Sequence, residues 1–276
     1  MRIAAGDWAA TLDPEVGGTI ASLSRRGVDM LRATPAGATG PLAFASFPLV
    51  PYANRIADGA FAFDGQDYRL PRNHVSQTHP LHGVGWLTGW SVETMDATSV
   101  TLVHQHHGDA AWPWRYRATQ RLALDDGGLH VALAITSDDD RAMPVSLGFH
   151  PYFTRDGVRT LAFTAKGVWR IDDGLLPTEH VEPAAFGDWS VGATVIRSDL
   201  IDNCYTGWAG SATIARDDGV ITLSATGTPM LHLYLPPGED YFCAEPVSAM
   251  PDAVNRGAAD ILIPGERREI TMTIRG

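Results

Sequence analysis

The sequence predicts an all-β protein, an antiparallel β-sandwich or barrel with few short helices. Short runs of alternating apolar residues recur along the chain, and Asp-Gly pairs separate several of them. Such pairs are typical of hairpin turns because both residues tolerate a positive φ. No long segment shows the 3.6-residue periodicity of a helix, and 28 glycines and 18 prolines interrupt the chain throughout.

Four segments in chain order justify the strands. The first places Phe61 and Phe63 on one face before an Asp64-Gly65 turn. The later segments are a hairpin that turns through 125–128 (Leu122 and Leu124 before it; Leu129, Val131, Leu133 and Ile135 after it), a hairpin around Asp218-Gly219, and a last strand with Ile270, Met272 and Ile274 on one face. Many short strands at close spacing indicate a sandwich or barrel.

Length and composition predict one domain over residues 1–276. The chain has 45% hydrophobic residues, and no Ser/Gly-rich or Pro-rich linker divides it. A chain of this length buries a sizeable core without disulfides or metals. One disulfide between Cys204 and Cys243 is possible, but two buried, reduced thiols are the expected state.

The charge balance argues against two classes of partner. The formal charge is -11, with 32 acidic and 21 basic residues, so nucleic acid and anionic membranes are not expected to bind. The N-terminal segment lacks the apolar core of a signal peptide, and no stretch is long enough to span a bilayer. We expect a soluble, cytoplasmic protein, either a monomer or a homodimer.

Two polar segments precede or interrupt predicted strands in the N-terminal half. Arg55 follows Asn54 in a turn, where a guanidinium can fork onto two hydroxyls or a carboxylate. An Arg before a strand is also commonly a solvated edge charge. His82 lies beside Gly83 and near Trp86 and Trp90, which suits a concave site in which a sugar stacks on an indole. A loop histidine bonded to backbone is the plainer alternative.

Three polar residues in the C-terminal half stand in apolar surroundings. His150 ends the strand-like run "SLGF" before Pro151, where a half-buried imidazole suits general acid chemistry. Glu245 follows an apolar strand, and a buried carboxylate needs partners or takes up a proton. Asp202 precedes Asn203, a pair that usually makes a turn but can also orient sugar hydroxyls.

The other motifs give weaker evidence of function. The segment "HQHH" supplies His104, His106 and His107. Two histidines two residues apart share one face of a strand and could bind zinc, but no third ligand of defined spacing lies nearby, and an exposed strand is the stronger interpretation. No nucleotide-binding glycine motif or nucleophile elbow occurs in the chain.

The order of the polar motifs resembles that of the aldose 1-epimerase (galactose mutarotase) family. The matching segments are "NRIADGAFAFDGQDYRLPRN", "LHG", "GFHPYF", "LLPTE", "IDNCY" and "CAEPVSAMPDAVN", and the match runs from about Val16-Gly17 to the end. Val84 stands where the commoner "LHGG" pattern has its second glycine. The resemblance implies a galactose mutarotase-type β-sandwich that binds a small sugar and uses neither a metal nor an organic cofactor.

By this resemblance, Glu245 is the catalytic base, His150 the catalytic acid and His82 a second active-site histidine. Arg55, Asp202 and Asn54 would hold sugar hydroxyls. The implied reaction interconverts the α and β anomers of a free aldose such as galactose or glucose. The Glu245 carboxylate is expected to raise the pKa of His150 and keep it a proton donor.

Three alternatives stay open on the sequence alone. A glycosidase could pair Glu245 with Asp202, which leaves both histidines idle. A non-catalytic carbohydrate-binding or sensing protein could keep the fold. A phosphorylated or otherwise acidic aldose would need several cations near Arg55, for which the sequence offers Arg72, Arg115, Arg117 and Arg141.

Overall fold

The computed structural model describes residues 1–276 and contains 24 strands and five 3₁₀ turns, with no α-helix. The first twelve strands are β1 (Arg2–Ala5), β2 (Trp8–Asp13), β3 (Thr19–Arg25), β4 (Val28–Asp29), β5 (Pro48–Leu49), β6 (Ala60–Phe63), β7 (Gln66–Arg69), β8 (Ser91–Met95), β9 (Ser99–His107), β10 (Arg115–Asp125), β11 (Gly128–Ser137) and β12 (Met143–Val145).

The remaining strands are β13 (Gly148–Phe149), β14 (Tyr152–Thr154), β15 (Val158–Phe163), β16 (Gly167–Ile171), β17 (Pro177–Val181), β18 (Ile201–Thr206), β19 (Ser211–Arg216), β20 (Gly219–Thr226), β21 (Met230–Leu235), β22 (Tyr241–Val247), β23 (Asp260–Leu262) and β24 (Arg267–Arg275). The 3₁₀ turns are Pro41–Ala43, Ala57–Gly59, Gly85–Leu87, Trp189–Val191 and Ala253–Arg256.

Two large sheets dominate the molecule. The first has eight strands in the order β15-β19-β20-β24-β11-β10-β9-β8, and every neighbouring pair is antiparallel. The second, which we call the site sheet, runs β17-β16-β18-β21-β22-β13-β5, with β14 also paired to β22. Smaller sheets join β1 to β4, β6 to β7, and β12 to β23.

One buried cluster of 55 residues joins the two large sheets. Leu133 of β11 and Ile270 of β24 belong to it, as do Leu233 of β21 and Phe242 of β22 from the site sheet. Burial of this apolar surface is the main stabilising term of the sandwich. The all-β antiparallel fold predicted from the sequence is therefore confirmed.

The Asp-Gly hairpins form where the alternation predicts them. Phe63 pairs with Gln66 across the Asp64-Gly65 turn, and Asp125 pairs with Gly128 at the second turn. At the third, Arg216 pairs with Gly219, so the turn residues are 217–218 and Gly219 already opens β20. No helix in the structure combines the length and apolar character needed to cross a membrane.

The exposure predicted for the histidines of β9 is wrong for two of them. His104 and His106 are buried, although the segment was expected to be exposed; His107 alone is exposed. Trp90 covers His104 at a ring distance of 5.5 Å, and His106 Nε2–H donates a hydrogen bond to the Trp112 carbonyl oxygen, 2.8 Å away. The tryptophans of flanking loops therefore turn this part of β9 into an interior strand.

Candidate active site

Three adjacent strands of the site sheet place polar side chains on one face. In β21, Leu231 and Leu233 enter the 55-residue cluster, while His232 and Tyr234 face a cavity on the other side. The pairing register sets His232 beside Glu245 of β22, and Tyr234 beside Asp202 of β18. Strand alternation thus brings residues distant in sequence onto one floor.

Glu245 and His150 form a contact pair at the edge of this floor. His150 follows β13 directly, and its Nε2 lies 3.3 Å from Oε1 of Glu245. The imidazole is held between Phe47 and Tyr152, with ring centroids 4.6 and 4.7 Å away. Both side chains of the pair are at least nine-tenths buried. The structure therefore brings together the two residues expected to act as base and acid.

Burial gives this pair protonation preferences opposite to the expected ones. Desolvation lowers the pKa of His150 from 6.5 to about 3, although the carboxylate was expected to raise it. Desolvation, followed by repulsion from Asp202, raises the pKa of Glu245 well above its ordinary range. In low-dielectric surroundings each group favours its neutral form, because the loss of water outweighs their mutual attraction. The pair therefore holds one proton, favoured on the carboxyl group.

His82 also lines this cavity, and a backbone hydrogen bond fixes its tautomer. Its Nδ1 accepts a hydrogen bond from the backbone amide of Asn54 at 3.1 Å, so the proton of the neutral ring resides on Nε2. Burial, followed by the charges of His150 and Arg55, lowers the pKa of His82 well below 6.5. Its ring stands perpendicular to that of His150, at 5.2 Å between centroids. His82 is thus a neutral N–H donor beside the Glu245–His150 pair.

Arg55 and Asp202 also line the cavity. The Arg55 guanidinium donates to Asn54 Oδ1 at 3.0 Å and to Gln77 Oε1 at 3.2 Å, and it approaches Asp202 Oδ2 at 3.5 Å. Arg55 is therefore buried and paired, and the solvated edge position is wrong for it. Asp202 lies within β18, so the turn suggested by its Asn neighbour does not form.

A cavity of about 240 Å³ collects these groups. All six sequence-predicted site residues line it: Asn54, Arg55, His82, His150, Asp202 and Glu245. This volume falls below the range of roughly 300–1,000 Å³ for drug-sized ligands, so the cavity suits one small molecule. Its arrangement allows a proton to leave one atom of that molecule and another to reach a second atom.

Sequence reasoning missed His232, Gln77 and Tyr234, which also line the cavity. His232 Nε2 lies 2.5 Å from Oδ1 of Asp202, the shortest polar contact in the cavity. A signal was present in "MLHLYL", where a histidine alternates with three leucines. Polarity against an apolar alternation had singled out His150 and Glu245, and the same criterion applies to His232.

Trp86 and Trp90 do not offer a stacking face to a ligand. Both are buried, and neither lines the cavity. Trp86 Nε1 donates to the carbonyls of Leu81 and Gly83, which braces the loop that carries His82. The aromatic side chains of the cavity are Tyr152, Tyr234 and Tyr241. The expected sugar–indole contact is therefore wrong for these two tryptophans.

Val84 does not alter the cavity either. Its φ of -111° is open to any L-residue, and its side chain enters the 55-residue cluster. The departure from a double glycine is absorbed by the core behind the loop.

Two side-chain groups contain metal-ligand types. His150, Cys243 and Glu245 place ligand atoms within 4.8 Å of one another. Burial, followed by the Glu245 charge, raises the pKa of the Cys243 thiol well above its ordinary value. Cys243 packs in a second buried apolar cluster that contains Phe47 and Tyr152. His104 and His106 are held by Thr88, Trp112 and aromatic contacts in the core.

Comparisons with known proteins agree with this fold and identify the family. The family model for aldose 1-epimerase matches residues 12–275. The uncharacterised Escherichia coli K12 protein YphB is 31% identical over 275 residues, spanning 94% of this chain and 92% of YphB. The aldose 1-epimerase of the same organism is 26% identical over 142 residues, covering 49% of this chain and 41% of that protein.

Solved structures extend the likeness over the whole chain. A crystal structure of a candidate aldose 1-epimerase from Escherichia coli K12 has a TM-score of 0.92 and 28% identity, covering 99% of this chain and 97% of that one. The GalM/aldose epimerase homologue of C. elegans shares the fold, with a TM-score of 0.82, 21% identity and coverage of 99% and 98%. With a family model that spans nearly all of its strands, the chain belongs to the aldose 1-epimerase family.

Proposed function

We propose that this protein interconverts the α and β anomers of a neutral free aldose, such as galactose or glucose. The observation that carries the proposal is the buried contact of Glu245 with His150, 3.3 Å apart on a cavity of about 240 Å³. Anomer exchange requires a base at the anomeric hydroxyl and an acid at the ring oxygen.

The reaction uses the pair in both directions. Glu245 takes the proton of the C1 hydroxyl while His150 protonates the ring oxygen, and the bond between C1 and that oxygen breaks. The free aldehyde rotates about its C1–C2 bond. It then closes on the other face as His150 takes back a proton and Glu245 returns one to the C1 oxygen. No net proton is gained or lost by the protein.

Substrate binding supplies the charged form of the pair, which burial alone disfavours. Hydroxyl groups that donate to a carboxylate stabilise its ionised form. A sugar seated against Glu245 therefore moves the shared proton across the 3.3 Å contact to His150. His82, with its proton on Nε2, donates to the ring oxygen or a neighbouring hydroxyl and holds the open aldehyde in place.

The charges around the cavity favour an uncharged substrate over a phosphorylated one. Arg55 is the only arginine or lysine lining it, and its donors already serve Asn54, Gln77 and Asp202. Of the other arginines considered, Arg117 pairs with Glu93 and Arg141 with Asp139, while Arg115 also lies near Asp139 and Arg72 is exposed. None of these four lines the cavity.

Polarimetry on freshly dissolved α-anomers tests the proposal. We expect the wild-type protein to accelerate equilibration of at least one neutral aldose, and His150→Asn to lose roughly 10²–10⁴-fold of that rate, the usual contribution of one general acid. His104→Gln is the matched control, since it alters a buried histidine outside the cavity, and we expect it to keep the wild-type rate.

Three outcomes would contradict the proposal. Absence of acceleration across a panel of neutral aldoses would favour a sugar-binding protein. Acceleration confined to aldose phosphates would overturn the neutral substrate. Release of the aglycone from nitrophenyl glycosides would favour a glycosidase, for which two carboxylates face one bond.

A further inference from the structure

We propose that His232 is a positioning residue, which acts by holding the Asp202 carboxylate in the orientation that receives sugar hydroxyls. This inference rests on the proposed function and extends it to a side chain that the acid–base chemistry does not use. His232 is 3% exposed and lines the same cavity as Asp202.

The contact distances indicate that His232, more than Arg55, fixes the orientation of the Asp202 carboxylate. His232 Nε2 lies 2.5 Å from Asp202 Oδ1, whereas the Arg55 guanidinium lies 3.5 Å from Oδ2. At 3.5 Å a hydrogen bond is at the limit of its range. The other donors of Arg55 are directed at Asn54 and Gln77, so the short imidazole contact fixes the plane of the carboxylate.

Asp202 must accept this hydrogen bond as an ionised group. Burial works to raise its pKa, but the hydrogen bond from His232, together with nearby positive charge that includes Arg55, lowers the pKa below its ordinary value. An ionised carboxylate only accepts hydrogen bonds, so His232 donates through Nε2–H. The carboxylate keeps lone pairs for substrate hydroxyls.

The rest of the imidazole has no second hydrogen-bonding role. Its Nδ1 is buried and has no hydrogen-bond partner. Asn54 Nδ2 approaches Nε2 at 3.5 Å, but the amide is a donor and Nε2 already uses its proton on Asp202. Across the strand, Glu245 occupies the paired position and makes its recorded polar contact with His150. Only the Nε2–H donor should therefore matter.

Variants of His232 that are similar in size should differ according to whether they can donate a hydrogen bond to Asp202. His232→Gln places an amide N–H near the position of Nε2 and can still donate to Asp202. His232→Asn is too short to reach it, and His232→Phe keeps the ring without a donor. We expect the glutamine variant to stay near wild type and the other two to raise KM roughly 10- to 100-fold, the cost of a charge-assisted hydrogen bond.

The effect should fall on KM rather than kcat. Asp202 holds hydroxyls that do not react, so a loosened carboxylate weakens the bound sugar and the transition state alike. His232→Asn should add little to the defect of Asp202→Asn, because both changes act through one contact. A second readout is the sugar Kd from ligand-observed NMR titration, which follows KM and does not depend on turnover.

The proposal is overturned if His232→Gln is as impaired as His232→Asn and His232→Phe, since the ring itself would then be required. It is also overturned if kcat falls at constant KM, or if the donor-free variants bind sugar normally. If one donor-free variant fails to fold, the other gives the comparison. A wild type that binds aldoses without exchanging their anomers would sink the proposed function alone, because the NMR titration would still test His232.

Discussion

At the scale of single residues, the neutral His82 depends on the backbone beneath it. Gly83 has a φ of +73°, and a Cβ there would lie 2.5 Å from both Pro51 Cδ and the Val50 carbonyl oxygen. The close approach lets the His82 loop lie against the segment that carries Asn54, whose backbone amide fixes the His82 tautomer. A glycine is required at this position for both its conformation and its size.

Gly83→Ala should therefore lose stability and displace His82. Gly65→Ala is the matched control, because Gly65 also has a φ of +73° and no neighbouring atom within 4 Å of its added Cβ. Both pay roughly 1–2 kcal/mol for a left-handed alanine. The Gly83 variant should lose a further ~1–3 kcal/mol from overpacking, measured by urea unfolding, and most of its mutarotation. Equal unfolding free energies and full activity in both variants would refute this account of the loop.

At the scale of elements, strand alternation assembles the site. β18, β21 and β22 each turn one set of side chains into the shared core and the other set toward the cavity. A one-residue slip in pairing would turn His232 into the apolar core and leucines toward the cavity, so the core fixes the register that aligns His232 with Glu245. The same apolar packing that stabilises the sandwich therefore positions Glu245 on the cavity floor.

Local conformational preferences can be predicted from the sequence, whereas contacts between distant segments cannot. Hairpin turns such as Asp64-Gly65 depend on local conformational preference, and the strands around them were predictable for that reason. Glu245 and His150 were detectable because a polar group in an apolar run is costly unless partnered. The burial of His104 depends on Trp90, and the strand position of Asp202 depends on its pairing with Tyr234. Such contacts join distant segments, and single-sequence patterns do not encode them.

At the scale of the whole molecule, buried histidines make stability depend on pH. Burial lowers the pKa of His104 from 6.5 to about 4, and that of His82 well below 6.5. A group with a lowered native pKa contributes stability above its unfolded pKa and loses it as the pH falls. The Glu245–His150 pair holds one proton in the folded site. In the unfolded chain, Glu245 and His150 together also hold one proton between about pH 4.5 and 6.5. The pair therefore makes no net contribution to the pH dependence of stability in that range.

We therefore expect the free energy of unfolding to fall between pH 6.5 and 5, by up to about 1.4 kcal/mol per pH unit for His104, with His82 acting in the same direction. His104→Gln should lose about 2 kcal/mol less than wild type over that interval. Urea unfolding at both pH values measures the difference. Parallel pH dependence of the two proteins would show that His104 takes up its proton as readily in the fold as in the unfolded chain.

The central claim is that Glu245 and His150 exchange protons with a bound aldose. Saturation-transfer NMR at anomeric equilibrium tests it most directly, since it follows α-to-β conversion of galactose or glucose without net reaction. For wild type we predict saturation transfer between the two anomeric signals well above that in buffer. For Glu245→Gln it predicts a loss of roughly 10²-fold or more, with the sugar still bound. Undiminished exchange in a folded Glu245→Gln protein would contradict the account.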